Sequence, residues 1–454
     1  MKPSIPQGTR DFNAAVVLKR QYIFQTIKSI FELFGFQPLE TPSMENIETL
    51  MGKYGEEGDK LIFKILNNGL DNPSKLEKTE AGFKNVLQGK NDKSITERAL
   101  RYDLTIPFAR FVAMNQNDLV FPYRRYQIQP VWRADRPQRG RYREFYQCDA
   151  DIVGSNSLLN ETELLQIYSQ AFSKLKVDVE IHINSRKMLS ALAEICGGLD
   201  RLTSITIAID KLDKIGLDKV KEELAQRDLE SNQIEIIEKY LQISGSNTEK
   251  IAAIKSLMGD NASAKVGLEE IEFLLSHAGA LQQEVVVDFT LARGLDYYTG
   301  IIFEVKAKNV QMGSIGGGGR YDNLTGLFGV NGLSGVGVSF GIDRIYDVMD
   351  ELQVFPDNVQ AGSKVLFFNL GEKESETSFQ LLQQVRNAGI KAEIYPDKSK
   401  LDKQFKYADK KNIMYAVIIG SQELEEKKCT IKNIQSGEQK IIDQDALVAY
   451  LSEN

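Results

Sequence analysis

Five arginines crowd one short segment, at positions 133, 136, 139, 141 and 143 between Trp132 and Phe145. Their spacing follows no helical face. Planar guanidinium groups hold phosphate oxygens through several fixed donors and stay charged near neutral pH. Aromatic-rich extended stretches flank them, 123–133 before and 142–152 after. Pro137 and Gly140 interrupt regular structure between the two, so the segment predicts a hairpin with a long polar loop. Arg133 then leaves one strand while Arg141 and Arg143 enter the other, and the two sides can close on a polyphosphate. On the returning strand the two-residue period puts Arg143, Phe145, Gln147, Asp149 and Asp151 on one face. Polar groups there are costly unless the face is wet or holds a ligand, and both readings are open. Phe145 can stack on a planar base, and Gln147 and Asp151 can meet a cationic or hydrogen-bonding substrate.

A second set of residues has weaker individual signals. Asp103 and Thr105 stand two apart; in an extended segment they share a face and would hold an ammonium group, while a turn stabilised by Asp103 is an equal reading. Arg293-Gly294-Leu295-Asp296-Tyr297-Tyr298 follows a strongly apolar strand and makes a poor core but a good pocket edge. Arg293 there would neutralise phosphate or carboxylate charge, with a tyrosine hydroxyl on a polar substrate group. A surface turn with a salt bridge is the plain alternative. Gly316 to Gly319 are four residues without side chains, permitting either close approach of backbone to a ligand or a sharp bend. No lysine–hydroxyl element follows, which excludes a P-loop, and the dinucleotide fingerprint is absent. Residues 335–344 read as a small-residue strand feeding a helix. Arg344, in the first turns, either faces a phosphate or pairs with Asp343 or Asp347.

These groups need a large scaffold, and 454 residues suffice for two or three domains. Hydrophobic residues make up 42% and charged residues 26%, the balance of a globular chain rather than a disordered one. A net charge of -7 argues against a cationic wrapper of nucleic acid but leaves room for a local basic groove. Cys148, Cys196 and Cys429 lie far apart without a CxxC, so neither a disulfide framework nor a cysteine zinc site is expected. No apolar run is long enough for a membrane span, no secretion segment opens the chain, and cytoplasm is the expected location.

Val16, Ile23, Ile27, Ile30, Phe31 and Phe34 recur with helical spacing, and extended segments are expected at 36–39 and 61–66. Residues 67–94 read as a solvated insertion with a helical piece at 81–87. A helix is expected at 160–175, and from about 184 to 280 the texture is helical (187–195, 220–241, 250–279), predicting an inserted helical subdomain. Strands return at 285–290, 302–306 and 333–339, followed by a helix over 340–350. Residues 356–363 form the linker between a domain over 1–355 and a small α/β domain over 364–454, in which strands and helices alternate. Acidic and basic residues are equal in number in that last domain, so its charge balance does not point to nucleic acid.

Taken in order along the chain, these segments resemble those of class II aminoacyl-tRNA synthetases, and specifically the histidyl-tRNA synthetase family. Arg-Gly-Leu-Asp-Tyr-Tyr at 293–298 and Gly-Gly-Arg-Tyr-Asp at 318–322 are the most specific marks, and the likeness runs from Gly8-Thr9-Arg10-Asp11-Phe12 to the C-terminal domain. The resemblance implies a mixed α/β (α+β) fold: a catalytic core on a mainly antiparallel sheet, a helical insertion and an α/β anticodon-binding domain. It implies ATP-dependent attachment of L-histidine to histidine tRNA through an adenylate, with Mg2+ accompanying ATP, in a homodimer formed through the helix and strand near Pro42. By the same likeness Arg133 and Arg293 are catalytic. Arg133, Asp135, Arg141, Phe145 and Arg344 bind ATP. Asp103, Thr105 and Gln147 hold the amine, Asp151, Tyr298 and Tyr321 read the imidazole, and Gln138 contacts the tRNA acceptor end. The chain departs from bacterial relatives with Arg-Pro-Glu near the amine site by having Arg101-Tyr102-Asp103, and its 67–94 insertion is longer. A regulatory subunit of histidine biosynthesis that senses histidine on the same fold is the alternative. Such proteins usually lack the anticodon-binding domain and lose active-site motifs, whereas this chain keeps Arg133, Arg293 and Arg344. A tRNA-binding regulatory module without ATP turnover is a third reading.

Overall fold

Alternation of oily and polar residues along the returning arm of the hairpin organises the first part of the molecule. The computed structural model describes residues 2–453 apart from 293–296, 357, 358, 360 and 361. Two units separate at Pro356 and Asp357. In the first, a helix over Ala14–Leu33 leads into strand β1 (Gln37–Pro38). A small antiparallel sheet follows, built from β2 (Met44–Asn46), β3 (Lys64–Ile65) and β4 (Arg98–Leu100) in the order β2-β4-β3. The hairpin is β5 (Tyr123–Trp132) and β6 (Glu144–Val153). Then come β7 (Val179–Ser185), β8 (Glu284–Val287), β9 (Ile301–Ala307), β10 (Gly316–Tyr321) and β11 (Gly335–Gly341). The main sheet runs β1-β5-β6-β11-β10-β9-β7-β8. Only the two edge pairs, β1 with β5 and β7 with β8, are parallel; the rest are antiparallel.

One face of this sheet is oily. Cys148, Ala150 and Ile152 of β6 join Val336, Val338 and Phe340 of β11 beneath the helices Ala14–Leu33 and Leu159–Lys174. Phe340 is the hub, with the rings of Tyr168 at 4.8 Å, Phe172 at 5.5 Å and Phe31 at 5.8 Å. The odd-numbered residues of β6 necessarily turn to the opposite face. Burying one face while the other carries polar groups fixes the register, because a slip of one residue would exchange them.

Helices from Arg186–Ile195 to Ala262–His277 occupy the connection between β7 and β8. Their buried Leu189, Leu192, Ile205, Val220, Ile237, Ile254 and Ile271 belong to the same continuous core as the sheet. β7, with Val179, Ile181 and Ile183 buried, is a sheet strand that the helical texture of its surroundings hid from the sequence reading. The expected helix over 220–241 is two, Leu217–Gln226 and Ser231–Leu241, separated where Asp228 takes φ 61°. In the 67–94 segment the helix is longer than expected, Leu76–Leu87, started by a turn in which the Asn72 side chain accepts from the Ser74 N–H. No helix among the described residues is long and apolar enough to cross a membrane.

The four consecutive glycines form neither a loop nor a bend. They begin β10, a buried central strand. A Cβ on Gly318 would sit 2.1 Å from the Gly337 carbonyl oxygen, and one on Gly319 would meet the Ile301 oxygen at 2.7 Å. Neighbouring backbone demands the missing side chains of Gly318 and Gly319.

The second unit carries β12 (Val365–Phe367), β13 (Ala392–Ile394), β14 (Tyr415–Ile418), β15 (Lys428–Asn433) and β16 (Gln439–Asp443) in the order β13-β12-β14-β15-β16. Its first three strands are parallel, as helix–strand alternation requires, and β15 and β16 add an antiparallel edge that the sequence reading did not anticipate.

Gly318→Ala should lower the unfolding free energy by about 3 kcal/mol, the upper range for forcing atoms into a packed interior. Trp132 is the chain's sole tryptophan and sits in β5, so urea unfolding followed by its fluorescence reads this unit. An unchanged midpoint would show that the strands part without cost.

Candidate active site

The polar face of the sheet opens into a cavity of about 570 Å³. Arginines gather at one end. Arg133 donates from Nε to the Tyr102 carbonyl at 3.0 Å, and its guanidinium lies 4.2 Å from the Tyr102 ring and 5.2 Å from the Phe145 ring. Arg141 stands 3.8 Å from Asp135 and remains exposed. Arg344 donates to the Gly140 carbonyl at 2.7 Å and the Ser314 carbonyl at 2.6 Å, pinning the hairpin tip. Its acidic neighbour Asp343 points elsewhere, accepting from Arg10, Arg20 and the Tyr146 N–H. Arg10 also lies 3.2 Å from the Tyr142 ring, so the N-terminal segment clamps the outer arm of the hairpin. Gly140, at φ 71°, closes a tight turn in which Gln138 and Arg141 exchange backbone hydrogen bonds. Gln138 itself is exposed at that tip.

The other end is acidic and buried. Of the two readings open for Asp103 and Thr105, a shared extended face and a turn stabilised by Asp103, the turn is found. Thr105 begins the helix Thr105–Asn115, and Asp103 Oδ1 caps it by accepting the Ile106 N–H at 3.1 Å while also accepting the Tyr54 hydroxyl at 2.9 Å. The preference of a helix start for a carboxylate won over strand alternation. Asp151 lies between two partners: Arg125 Nη2 at 2.8 Å from Oδ2 and the Tyr321 hydroxyl at 2.5 Å from Oδ1. Asp149 lines the cavity between Gln147 and Asp151. Gln147 donates to the Ser339 hydroxyl at 3.0 Å. Burial raises the pKa of Asp103 and of Asp151, the latter opposed by Arg125 and by the Tyr321 hydroxyl. Asp149 is pushed up to about 7, first by burial and then by the charges of Asp151 and Asp103, against the pull of Arg125 and a hydrogen bond from Ser339.

Asp103, Thr105, Arg133, Asp135, Arg141, Phe145, Gln147, Tyr298 and Arg344 thus share one cavity. Asp151 and Tyr321 are bound to each other and are not among its lining residues. Arg293 lies outside the described residues. Asp149, Tyr102, Tyr297 and Ser339 line the cavity without having been singled out, as do Asp210 and Lys214 from the helices between β7 and β8. For Asp149 the signal was present in the two-residue period; for Asp210 and Lys214 no local pattern marks them. Arg320 and Asp322 of the Gly-Gly-Arg-Tyr-Asp segment are braces. Arg320 forms a buried pair with Glu161, and Asp322 accepts from the hydroxyls of Thr299 at 2.6 Å and Ser334 at 2.5 Å.

A cavity with guanidinium groups at one end and buried carboxylates at the other suits a substrate that is anionic and cationic at its two ends. The family model described as histidyl-tRNA synthetase matches residues 73–345, more than half of the chain. The chain belongs to the histidyl-tRNA synthetase family. An anticodon binding domain model matches residues 364–454. A histidine–tRNA ligase of Phocaeicola vulgatus is 53% identical over 452 residues, covering 99% of each chain. One from Porphyromonas gingivalis is 50% identical over 447 residues, covering 98% of each. The crystal structure of histidyl-tRNA synthetase from Nostoc sp. PCC 7120 superposes with a TM-score of 0.82 at 29% identity, covering 100% of this chain and 99% of that one. The class II synthetase fold, with its largely antiparallel sheet, is therefore this chain's fold.

In this family member, Asp149→Asn removes a carboxylate that ionises poorly in the folded state. Its raised pKa means that its contribution to stability is present at low pH and lost as pH rises through about 7. The charged groups facing it are Arg125, Asp151 and Asp103, which both proteins retain. The melting temperature of the variant should therefore gain on wild type by a few degrees between about pH 4 and about pH 8. A difference that stays constant with pH would remove the titration from Asp149.

Proposed function

We propose that the protein attaches L-histidine to histidine tRNA in two steps, with ATP consumed in the first. The carrying observation is the single cavity that joins Arg133, Arg141 and Arg344 to Asp103 and Asp149. A histidine carboxylate oxygen attacks the α-phosphorus of ATP. The bond from that phosphorus to the bridging oxygen breaks, pyrophosphate leaves, and histidyl-adenylate remains. A terminal ribose hydroxyl of the tRNA then attacks the adenylate carbonyl carbon, and AMP leaves. No side chain forms a covalent intermediate.

Arg133 balances charge at the α-phosphate and Arg344 at the terminal phosphates, while Phe145 stacks on adenine and Asp135 and Arg141 complete the nucleotide site. Arg293, by its match to the family motif, acts as the catalytic arginine beside the reacting carboxylate. Asp103, Thr105 and Gln147 take the amine. Asp151, Tyr298 and Tyr321 distinguish imidazole from apolar side chains, a task at which hydrogen-bonding sites excel because the wrong substrate leaves buried polar groups unpaired. Gln138, exposed at the hairpin tip, meets the tRNA acceptor end. Magnesium would arrive on the phosphates of ATP. No group of three or more His, Cys, Asp or Glu side chains among the described residues is arranged to hold a metal, and no step above runs through one. The enzyme works in this reading as a cytoplasmic homodimer paired through the region near Pro42, with residues 364–454 binding the anticodon.

A regulatory histidine sensor on this fold is the competing reading. A structure titled as an ATP phosphoribosyltransferase regulatory subunit/histidyl-tRNA synthetase, from Bacillus halodurans C, shares the fold with a TM-score of 0.71 at 18% identity, which speaks to fold alone. Retention of the arginines and of the anticodon domain match favours the ligase.

Purified protein should exchange labelled pyrophosphate into ATP only when histidine is present; absence of exchange beside an active control enzyme sinks the ligase reading. Arg293→Ala should slow that exchange about 100-fold or more with little change in unfolding midpoint. Unchanged exchange would take the catalytic role from it. Gln138→Ala should weaken aminoacylation and spare exchange, and equal losses in both assays would place Gln138 elsewhere in the mechanism.

A further inference from the structure

The acidic end of the cavity holds one carboxylate that the matched family residues leave unused. Asp151 accepts the Tyr321 hydroxyl on Oδ1 and has Arg125 as an ion-pair neighbour 2.8 Å from Oδ2. Thr105 acts on the neighbouring Tyr297 phenol, lowering its pKa against burial. Asp149 differs from both. It is 2% exposed, it lines the cavity, and its Oδ1 is a buried acceptor without a hydrogen-bond donor among the described residues. Two other lining residues share that condition, Asp103 through Oδ2 and Gln147 through Oε1.

Buried acceptors left without donors cost free energy, and a native site that keeps several in one cavity is shaped for donors brought by a ligand. A primary ammonium group carries three N–H donors and a positive charge. We propose that Asp149 is a histidine-binding residue which, with Asp103 and Gln147, forms a three-acceptor cradle for the α-ammonium group. The assignment rests on the adenylation reading above and adds to its amine-binding residues.

Charge argues in the same direction. Within the sheet Asp149 and Asp151 face one buried guanidinium, that of Arg125 on β5, which lies 2.8 Å from Asp151. Arg133 acts on Asp103 from the nucleotide end of the cavity. One guanidinium shared between two carboxylates leaves Asp149 without an ion pair of its own among the described residues, and the substrate amine supplies the second positive charge. Backbone geometry holds the carboxylate in position. Asp149 is opposite Gln127 on β5 and Ser339 on β11, both in regular antiparallel register, and rigid strands place a binding group better than loops do.

The experiment compares wild type with Asp149→Asn, which keeps shape and removes charge. Histidine-dependent pyrophosphate exchange gives KM for histidine and for ATP. Inhibition by 3-(imidazol-4-yl)propionate, histidine without its amine, gives Ki. Asp149→Asn should raise KM for histidine about tenfold or more, the loss of one charge-assisted hydrogen bond. KM for ATP should move less than about twofold, and Ki for the propionate should stay within the same margin. An unchanged KM for histidine overturns the assignment. So does an equal loss for the propionate, which would put Asp149 at the imidazole or in the general packing. Wild type without histidine-dependent exchange would overturn the ligase reading and this proposal with it, whereas the two preceding results in an active wild type overturn the role of Asp149 alone.

Discussion

An ion pair shut inside a β-sheet governs this site. Arg125 and Asp151 are register partners on β5 and β6, both essentially without solvent contact, at 2.8 Å. Stripping two charges of water is expensive, and the pair is tolerable only with good geometry and further hydrogen bonds. The Tyr321 hydroxyl from β10 supplies one of these on Asp151, and the Phe108 ring lies 4.2 Å from the Arg125 guanidinium. The arrangement also requires an absence. Gly337 stands opposite Asp151 on β11, where a Cβ would fall 2.0 Å from Asp151 Oδ1. Glycine in this strand is the space in which the ion pair and the tyrosine fit. Arg125 lies 2.8 Å from Asp151 and also acts on Asp149, so at this end of the cavity one buried cation serves two carboxylates.

The phosphate end is built on a different principle. Its arginines sit on a hairpin loop, and a loop positions side chains poorly unless other parts of the chain hold it. Asp343 gathers Arg10, Arg20 and the backbone of Tyr146, which joins the N-terminal segment, the first helix and β6 at one carboxylate. Arg344, one residue on, grips the Gly140 carbonyl at the loop tip. Adjacent residues of one helix therefore anchor the base and the tip of the hairpin. The two ends of the cavity differ accordingly: one is buried and braced by strands, the other is half-open and braced by ion pairs and backbone contacts.

Much of this was legible along the chain because it depends on local periodicity. The hairpin arms, the polar face of β6 with Gln147, Asp149 and Asp151, and the long helices all follow from alternation or helical spacing. Other features were only partly legible, for physical reasons. Gly316 to Gly319 carry no side chains and so no pattern; neighbouring backbones at 2.1 and 2.7 Å explain Gly318 and Gly319, while Gly316 and Gly317 line the cavity. For Asp103 and Thr105 spacing left a shared extended face and a turn stabilised by Asp103 as equal readings; the turn is the one that holds, because Asp103 accepts an N–H from the first turn of a helix whose backbone donors lack partners. Arg344 and its neighbours offered an acidic partner within its own helix, and its guanidinium also reaches carbonyls far away in sequence, at Gly140 and Ser314.

The sequence by itself determined the class of chemistry: an arginine-rich hairpin for phosphates, a polar strand face behind it, and motifs whose order marks the histidyl-tRNA synthetase family. Tertiary structure alone decided how the acids divide their work. Asp149 and Asp151 are equivalent in side chain and share one strand face, and local spacing does not tell them apart. Their difference comes from the neighbouring strands, which set Arg125 and Gly337 opposite Asp151 and Gln127 and Ser339 opposite Asp149. One carboxylate is thereby neutralised within the protein, and the other is left to be neutralised by what binds, because a charge in a buried site takes its state from the partners that cross-strand pairing brings to it.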